Sequence, residues 1–282
     1  MSGKVAVVTD STAFLPAGKA DELGIQIVRL RVSLGARTAV DGVDVTPREV
    51  ADALRAKHPV TTSRPTPAEF AATFQHCLDA GADHVVSVHL AAALSGTWES
   101  ATLAAQDFPH GVVRVVDSRS TAAGLGFAVL AAAETARAGA PAADVQGAAT
   151  DIVDHTRTMF YVDTLEYLRR GGRIGTAAAL LATSLSMKPL LQMSEGHIVA
   201  LEKVRTSTKA LARLVALTVA EAADNSVDVA VHHVDTPARA EQVATQLRAT
   251  LPALGELYVA ELGPVIGAHL GPGAIGTVVV RR

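Results

Sequence analysis

Short apolar runs that lead into polar or small residues recur along the first half of the chain. Residues 5–8 and 112–116 each run into a polar cluster, and residues 85–88 run into a loop that ends in Ser95-Gly96-Thr97. Residues 25–32 supply a further strand candidate. Apolar runs of this length are typical of buried strands. Four such strand-and-loop units predict a parallel, doubly wound α/β first half whose loops share one edge of the sheet.

Two helix starts in this half carry a complete capping signal. The segments Thr46-Pro47-Arg48-Glu49 and Thr66-Pro67-Ala68-Glu69 each combine a capping threonine, a proline at the first helical position and a glutamate two residues later. This pattern predicts a helix from Thr46 to about Lys57 and another after Thr66. The hydroxyls that precede the second helix have no capping role there; they belong to Thr61, Thr62 and Ser63.

The second half of the chain has a different pattern. Residues 188–193 and 197–204 flank the turn pair Glu195-Gly196, which predicts an antiparallel hairpin. Further strands are expected over residues 159–162, 227–234, 257–260 and 275–280. A hairpin beside βα units indicates a mixed sheet. We therefore expect two domains, residues 1–156 with a parallel sheet and residues 157–282 with a mixed sheet.

Shorter signals predict local structure in the second half. Asp163 with Glu166 reads as a capping box, and Thr206 or Ser207 should open a helix. The glycine-rich stretch 263–273 is expected to be a loop, and it carries His269. This histidine is either hydrogen-bonded within a tight loop or part of a site, and the spacing leaves both interpretations open.

Composition and charge narrow the class of protein. With 282 residues and 49% hydrophobic residues the chain can bury a substantial core, and a net charge of -3 argues against binding nucleic acid. No apolar stretch reaches the roughly 18 residues of a membrane span, and no signal peptide is visible. We expect a cytoplasmic protein without stable membrane insertion. The single cysteine, Cys77, follows Phe70 and Phe74 at helical spacing, which predicts a buried free thiol.

Several familiar chemistries lack their motifs. The sequence has no G-x-x-x-x-G-K-[ST] loop, and Gly124-Leu125-Gly126 lacks the third glycine of a dinucleotide fingerprint. It has no H-E-x-x-H motif, and the adjacent His232 and His233 would point to opposite faces of a strand. We therefore expect neither a cofactor nor a metal ion.

The stretch Ser95-Gly96-Thr97 stands where a strand and loop lead into a helix. The first N–H groups of a helix have no partner inside it and attract anions. Ser95 or Thr97 either caps its own helix or contributes to an anion site, and this stretch alone does not decide between the two.

Sequence strings spread over almost the whole chain, in the family's order, resemble the DegV family. The longest includes the run Leu168-Arg169-Arg170-Gly171-Gly172-Arg173-Ile174. The resembling strings are residues 7–12, 62–70, 94–97, 116–118, 163–174, 188–189, 202–206, 261–267 and 269–273. Members of this family bind a long-chain fatty acid, and the best understood are the lipid-carrying subunit of bacterial fatty acid kinase. They present the carboxylate to a separate ATP-using subunit and are not enzymes alone.

The resemblance also implies roles for individual residues. The fatty acid carboxylate would be bound by Thr62, Ser63, Ser95, Gly96, Thr97 and His269. The positive surface that meets the kinase subunit would include Arg173 and Arg205. Two departures stand out, since His89 and Leu90 replace two serines usual in the family, and Arg64 replaces a glutamine.

A bound acyl chain also needs an apolar tunnel, which we expect in the second domain. A sixteen-carbon tail buried at about 0.8 kcal/mol per CH₂ has a gross driving force of about 11 kcal/mol, so the tail should dominate affinity. Most candidates for its lining can equally be ordinary core; they are Leu180, Leu181, Leu185, Met187, Leu190, Leu191, Met193, Val265 and Ile266.

Two other functions remain open at this level. One is a lipid-ester hydrolase that uses Ser95 with His269, oriented by Asp10 or Asp117, although Ser95 lacks the G-x-S-x-G elbow. The other is a sugar- or phosphate-binding enzyme, which rests on fold analogy alone.

Overall fold

The structure is a computed structural model that describes residues 3–180 and 187–282. Its strands, in chain order, are β1 (Val5–Asp10), β2 (Gln26–Val28), β3 (Arg31–Leu34), β4 (Arg37–Val40), β5 (Val60–Ser63), β6 (His84–His89), β7 (Val113–Asp117), β8 (Thr156–Tyr161), β9 (Lys188–Ser194), β10 (His197–Val204), β11 (Val227–His233), β12 (Leu254–Glu261) and β13 (Ile275–Arg281). Its helices are α1 (Lys19–Leu23), α2 (Pro47–Arg55), α3 (Pro67–Asp79), α4 (Thr97–Ala105), α5 (Ala123–Arg137), α6 (Ala142–His155), α7 (Glu166–Arg170), α8 (Ser207–Ala222), α9 (Pro237–Thr250) and α10 (Pro264–Leu270), with a 3-10 helix at Gly175–Leu180.

The chain forms two compact units that are not continuous in sequence. The first comprises Met1–Arg31 and Ser63–Asp154, and the second comprises Val32–Thr62 and His155–Arg282. The predicted boundary after residue 156 lies within two residues of the later junction, but residues 32–62 belong to the second unit rather than the first. The reason is packing within that unit, because helix α2 packs on α10 and the Val265 N–H donates to Asp41 Oδ1 at 3.2 Å.

The first unit contains a parallel sheet covered on both faces. Its strand order is β2-β1-β6-β7, and every pair is parallel. Alternate side chains point to opposite faces, so Val7 packs with Leu125 of α5, whereas Val8 packs with Phe70 and Phe74 of α3. The parallel, doubly wound first half predicted from the apolar runs is confirmed.

Both capping boxes of the first half are present. The Thr46 and Thr66 hydroxyls accept from the backbone N–H groups of Glu49 and Glu69, and each glutamate carboxylate accepts in return from the capping residue. Residues 25–32, expected as one strand, divide into β2 and β3, and the Leu30 N–H between them donates to Ser11 Oγ at 3.1 Å.

Cys77 lies in the core of the first unit, and replacing it with alanine should cost stability. Its side chain is 4% exposed in a cluster with Phe70 and Phe74, and burial raises the pKa of its thiol. We expect Cys77→Ala to lower the free energy of unfolding in urea by about 1 kcal/mol, because the removed sulfur leaves a small cavity. His76→Ala, at the exposed neighbouring position, is the control and should change it by less than about 0.5 kcal/mol. A loss of ligand binding by Cys77→Ala at unchanged stability would contradict a structural role.

The second unit is built on a mixed sheet. The order is β10-β9-β8-β13-β11-β12, with β11 and β12 parallel and the other neighbours antiparallel. The predicted hairpin is β9 and β10, and its turn residues Glu195 and Gly196 both have positive φ, 47° and 77°. A two-residue turn in which both residues have positive φ matches the right-handed twist of the two strands that it joins. The mixed-sheet prediction is confirmed, and strands β3, β4 and β5 form a separate small sheet in the order β4-β3-β5.

The two faces of the mixed sheet differ. One face packs on α8 and α9, where Tyr161 and Leu190 contact a cluster that includes Leu214 and Leu247. On the other face, neighbouring strands place a buried row side by side, in the order Leu191, Phe160, Gly276 and His232. Phe160 and His232 flank Gly276 closely, since a Cβ added at the glycine would lie 3.4 Å from Phe160 Cβ and 4.0 Å from His232 Cβ.

His232 in this row makes the stability of the protein depend on pH. Burial lowers its pKa to about 4, and its Nδ1 contacts the Ala260 carbonyl oxygen at 3.2 Å. As the pH falls from about 6.5 to 4, His232 becomes protonated in the unfolded chain but stays neutral in the folded chain. The free energy of unfolding therefore decreases across this pH range, and this histidine contributes up to about 3 kcal/mol of the decrease.

His232→Asn keeps an N–H for the Ala260 carbonyl and removes the titrating ring. Between pH 6 and 5, the free energy of unfolding in urea should fall about 1.2 kcal/mol less for this variant than for the wild type. His197→Asn, at an exposed position of β10, should behave as the wild type. Identical pH profiles for His232→Asn and the wild type would contradict the assignment.

Two local predictions in the second unit are wrong. Helix α7 begins at Glu166 without the expected Asp163 box, and the Glu166 N–H donates to Thr164 Oγ1 at 3.2 Å instead. Residues 264–270 form helix α10 rather than a loop. Pro264 suits the first turn of a helix, and Gly271 with φ 76° ends it, so the glycine content obscured a short helix.

Candidate functional site

A hydroxyl and an imidazole 207 residues apart in sequence form the centre of the candidate site in the second unit. Strand β5 places Thr62 and helix α10 places His269, so that Thr62 Oγ1 lies 2.8 Å from His269 Nε2. His269 Nδ1 is buried and has no hydrogen-bond partner among the residues that the structure describes. A buried N–H without an acceptor is the rarer of the two alternatives, so we assign the proton to Nε2. Thr62 Oγ1 then accepts from the histidine, and its own O–H is available to a ligand.

The histidine of this pair is uncharged at neutral pH. Burial, helped by the positive charge of Arg173, lowers the pKa of His269 to about 4. The pair therefore offers an anion hydrogen bonds rather than a second charge.

Positive charge comes from the groove in which the pair lies. The groove has a volume of about 550 Å³ and is lined by residues of α2, β5, α7 and α10 and of the segments beside them. Its cationic lining residues are Lys57, Arg170 and Arg173, and no acidic side chain occurs among the described residues that line it. Such a lining attracts anions.

The second polar cluster lies in the first unit, at the start of α4. Ser95 Oγ accepts from the Thr97 N–H at 3.3 Å and lies 2.9 Å from Thr97 Oγ1. The cap residue of α4 is Gly96, which has no side-chain cap hydrogen bond, so neither Ser95 nor Thr97 is the cap; Ser95 instead accepts from the first helical N–H. Arg64 lies over this turn, and its Nη1 donates to the Gly96 carbonyl at 3.3 Å and to Glu99 Oε2 at 2.7 Å.

The side chain of that arginine approaches Gly96 closely. A Cβ atom at this position would lie 1.8 Å from Arg64 Nη1. The arginine that departs from the usual glutamine thus covers the turn that carries Ser95 and Thr97.

The remaining predicted residues differ in their surroundings. Ser63 is exposed at the end of β5, and Arg205 is exposed just after β10. Arg173 is half-buried in the groove, where its Nη1 donates to the Gly171 carbonyl at 2.5 Å. Of the six carboxylate-binding candidates, the structure brings Thr62 together with His269, and Ser95 together with Gly96 and Thr97.

Two arginines of the run at residues 168–174 form ion pairs with a neighbouring glutamate. Arg169 and Arg170 both pair with Glu166, at 2.8 and 2.7 Å, whereas Glu202 pairs with Arg213 rather than with Arg205. The hydrogen bonds from Arg169 and then Arg170 lower the pKa of Glu166 to about 2.

Comparison with known proteins identifies the family. The profile described as "Uncharacterised protein, DegV family" matches residues 4–282. The chain belongs to the DegV family. A DegV domain-containing protein of Streptomyces coelicolor is 50% identical over 282 residues, 100% of both chains. A second DegV domain-containing protein, from Mycobacterium tuberculosis, is 41% identical over 276 residues, covering 98% of this chain and 96% of the relative.

Solved DegV structures share the fold. A DegV family protein from Thermus thermophilus, described by its fatty acid binding, superposes with a TM-score of 0.94 at 35% identity and covers 99% of this chain and 100% of its own. DegV from Bacillus subtilis, described as a fatty acid binding protein, gives a TM-score of 0.90 at 31% identity, with 100% of both chains covered. The DegV resemblance and the fold class predicted from the sequence are both confirmed.

In this DegV chain, the acids that a hydrolase would need are engaged elsewhere. Asp10 accepts from His89 Nδ1 at 3.0 Å, and Asp117 accepts from the Ala92 and Arg119 N–H groups at 3.2 and 2.8 Å. His269 Nδ1, which an orienting carboxylate would contact in a triad, has no partner in the described part of the chain. The structure gives the hydrolase alternative no support.

Sequence reasoning missed several residues around the DegV candidate site. Lys57 and His58 follow α2 and line the groove with His269, although no motif marks them. The pairing of Asp10 with His89 was also missed, since each was considered alone. Among the described residues, no group of His, Cys, Asp and Glu side chains could hold a metal ion, and no helix is long and apolar enough to cross a membrane.

Gly171 makes the position of His269 sensitive to one added methyl group. A Cβ at Gly171 would lie 2.2 Å from His269 Nδ1 and 3.3 Å from the Tyr167 carbonyl oxygen. Gly171→Ala should therefore lower the free energy of unfolding in urea by about 1–3 kcal/mol through overpacking.

The matched control is Gly267→Ala in α10, where the nearest atom, Val234 Cγ1, is 3.7 Å from the added Cβ. This control should be neutral or stabilise by up to about 1 kcal/mol, since alanine favours helix. Equal effects of the two substitutions would show that Gly171 is not a contact of the histidine.

Proposed function

We propose that this DegV protein binds a long-chain fatty acid and presents its carboxylate to a separate fatty acid kinase subunit, which forms the acyl phosphate. The observation that carries the binding proposal is the match, over almost the full length, to solved DegV proteins described by their fatty acid binding. A chain without a phosphate-binding loop acts here as the carrier, and the chemistry belongs to its partner.

The proposal assigns the head group to the hydroxyl clusters. Thr62, supported by His269, donates its O–H to the carboxylate, and the Ser95 hydroxyl and the Gly96 N–H are further donors. Ser63 and Thr97 complete the proposed set. Each charge-assisted hydrogen bond contributes about 1.5–3 kcal/mol, which fixes orientation. The cationic groove beside His269 supports an anionic head group.

The proposal places the acyl chain in the second unit, residues 32–62 and 155–282. The proposed apolar surface is the buried row of Leu191, Phe160 and Gly276, on the sheet face opposite α8 and α9. Of the lining candidates, Leu190 belongs to the core on the helix side, whereas Val265 and Ile266 are buried in α10. Leu181, Leu185 and the side chain of Leu180 lie outside the described residues.

We assign Arg173 and Arg205 to the surface that would bind the kinase subunit. Arg205 is exposed and Arg173 lies at the groove beside His269, so a kinase that docks on them would meet the carboxylate end of the ligand. Positive side chains of this kind steer an acidic partner. We also propose that the protein is cytoplasmic, because a kinase that uses ATP to form the acyl phosphate would work in that compartment.

Equilibrium binding of palmitic acid tests the carrier proposal. The wild type should bind the acid saturably with a stoichiometry of one, and should not release alcohol from palmitoyl esters. Ester turnover that vanishes in Ser95→Ala would favour a hydrolase instead, and absence of palmitate binding by the folded, ligand-stripped protein would contradict the proposal.

A further inference from the structure

Two carboxylates from neighbouring strands hold the loop that leads to Ser95. Strand β6 lies between β1 and β7, and these two strands end in Asp10 and Asp117. Asp10 Oδ2 accepts from the Leu90 N–H at 3.0 Å, and Asp117 Oδ1 accepts from the Ala92 N–H at 3.2 Å. The first residues after β6 are thus held from both sides.

This hold extends along the loop to Ser95. The Ala91 N–H donates to the Ser120 carbonyl at 2.8 Å, and the Ala91 carbonyl accepts from the N–H groups of Leu94 and Ser95 at 2.9 and 3.2 Å. A displacement at residues 90–92 would therefore move the hydroxyl of Ser95 and the turn at Gly96.

Asp10 is the stronger of the two anchors. Its side chain is 0% exposed, and its oxygens accept from the Thr12 N–H and hydroxyl at 3.0 and 2.6 Å, from His89 Nδ1 at 3.0 Å and from the Leu90 N–H. Four donors match the acceptor capacity of an ionised carboxylate. An amide in its place would bring an N–H₂ group against at least one of these donors.

Asp10, His89 and Ser87 form a buried chain of hydrogen bonds, which we call the relay. With Nδ1–H donating to Asp10, His89 Nε2 accepts from the Ser87 hydroxyl at 2.6 Å. Carboxylate, imidazole and hydroxyl stand in the order of a hydrolase triad. Ser87 and His89 are both 0% exposed, so no substrate reaches this hydroxyl, and the relay supports Asp10 instead.

We propose that Asp10 and Asp117 are positioning residues of the fatty acid head group, because they hold Leu90 and Ala92 and so fix the loop that presents Ser95, Gly96 and Thr97. This inference rests on the proposed function. Neither carboxylate contacts the ligand; each acts through backbone N–H groups of the loop.

The test compares palmitic acid with hexadecan-1-ol, which has the same chain length and an uncharged head group. Asp10→Asn and Asp117→Asn should each weaken palmitate binding roughly tenfold, the order of one charge-assisted hydrogen bond, and change hexadecanol binding less than about twofold. The ratio of the two affinities reports on the head-group loop and not on the tail.

Asp228→Asn is the matched control, since Asp228 Oδ1 also accepts from a backbone N–H, that of Glu256 at 2.7 Å, but belongs to strand β11 of the second unit. It should leave the affinity ratio unchanged. An equal loss of selectivity in Asp228→Asn would overturn the proposal, as would an unchanged ratio, or a parallel loss of both ligands, in the folded Asp10 and Asp117 variants.

Asp117 is only half-buried, so Asp117→Asn decides the question if Asp10→Asn does not fold. The proposed function fails separately, if the wild type itself binds no palmitate. Wild-type binding with unchanged ratios in the variants would reject the positioning role alone.

Discussion

Replacing Ser95 or His269 with alanine should weaken palmitate binding by about tenfold or more while leaving the fold intact. Ser95→Ala removes a proposed hydroxyl donor, and His269→Ala removes the imidazole 2.8 Å from Thr62 Oγ1 that orients the threonine hydroxyl. One lost charge-assisted hydrogen bond of about 1.5–3 kcal/mol corresponds to a loss of that order. Equilibrium dialysis with labelled palmitate measures it.

Ser33→Ala is a matched control for the serine variant. Ser33 Oγ lies 2.8 Å from Thr38 Oγ1 in the small sheet, a pair of the same kind as Ser95 with Thr97 at 2.9 Å. The control should bind palmitate as the wild type does. Unchanged ligand occupancy in both Ser95→Ala and His269→Ala would reject the site assignment.

Charge reversal at Arg205 should abolish most acyl-phosphate formation by the cognate kinase while palmitate binding is retained. Arg205 is exposed after β10, so Arg205→Glu changes the surface without touching the groove. Removing a steering charge slows association most at low salt, and we expect at least about a tenfold loss of rate there. Arg248→Glu, on the exposed side of α9, is the control and should leave the rate unchanged.

Arg173→Glu should reduce phosphorylation as well, but it should also affect the ligand. Arg173 lies in the groove, and its positive charge helps to lower the pKa of His269. A glutamate there would repel the carboxylate, so palmitate binding should fall together with phosphorylation. Acyl phosphate made by this chain and ATP alone would overturn the division of labour with a kinase.

Local periodicity predicted most of the fold because the strands are short, apolar and regularly followed by loops. The sheet of β2, β1, β6 and β7 and the hairpin of β9 and β10 both follow from such patterns. Periodicity could not assign residues 32–62 to the second unit, since that depends on long-range packing of α2 on α10. Helix α10 was missed because short helices depend on tertiary contacts more than on propensity.

The candidate site was less predictable than the fold. The hydroxyls without a capping role were those of Thr61, Thr62 and Ser63, and the DegV resemblance singled out Thr62 and His269, but no spacing rule joins residues 207 positions apart. The same holds for Asp10 and His89, whose contact depends on the adjacency of β1 and β6. His269 is neutral because its burial and the charge of Arg173 lower its pKa. The sequence does not show that His269 is buried or that Arg173 lies close to it.

The most direct test of fatty acid binding is mass spectrometry of the lipid extracted from the wild-type protein as purified from a bacterial host. The account predicts about one long-chain fatty acid per chain, and a much lower content in the Ser95→Ala and His269→Ala variants purified in parallel. A folded wild-type protein that carries no fatty acid, and takes up none when palmitate is supplied, would contradict it.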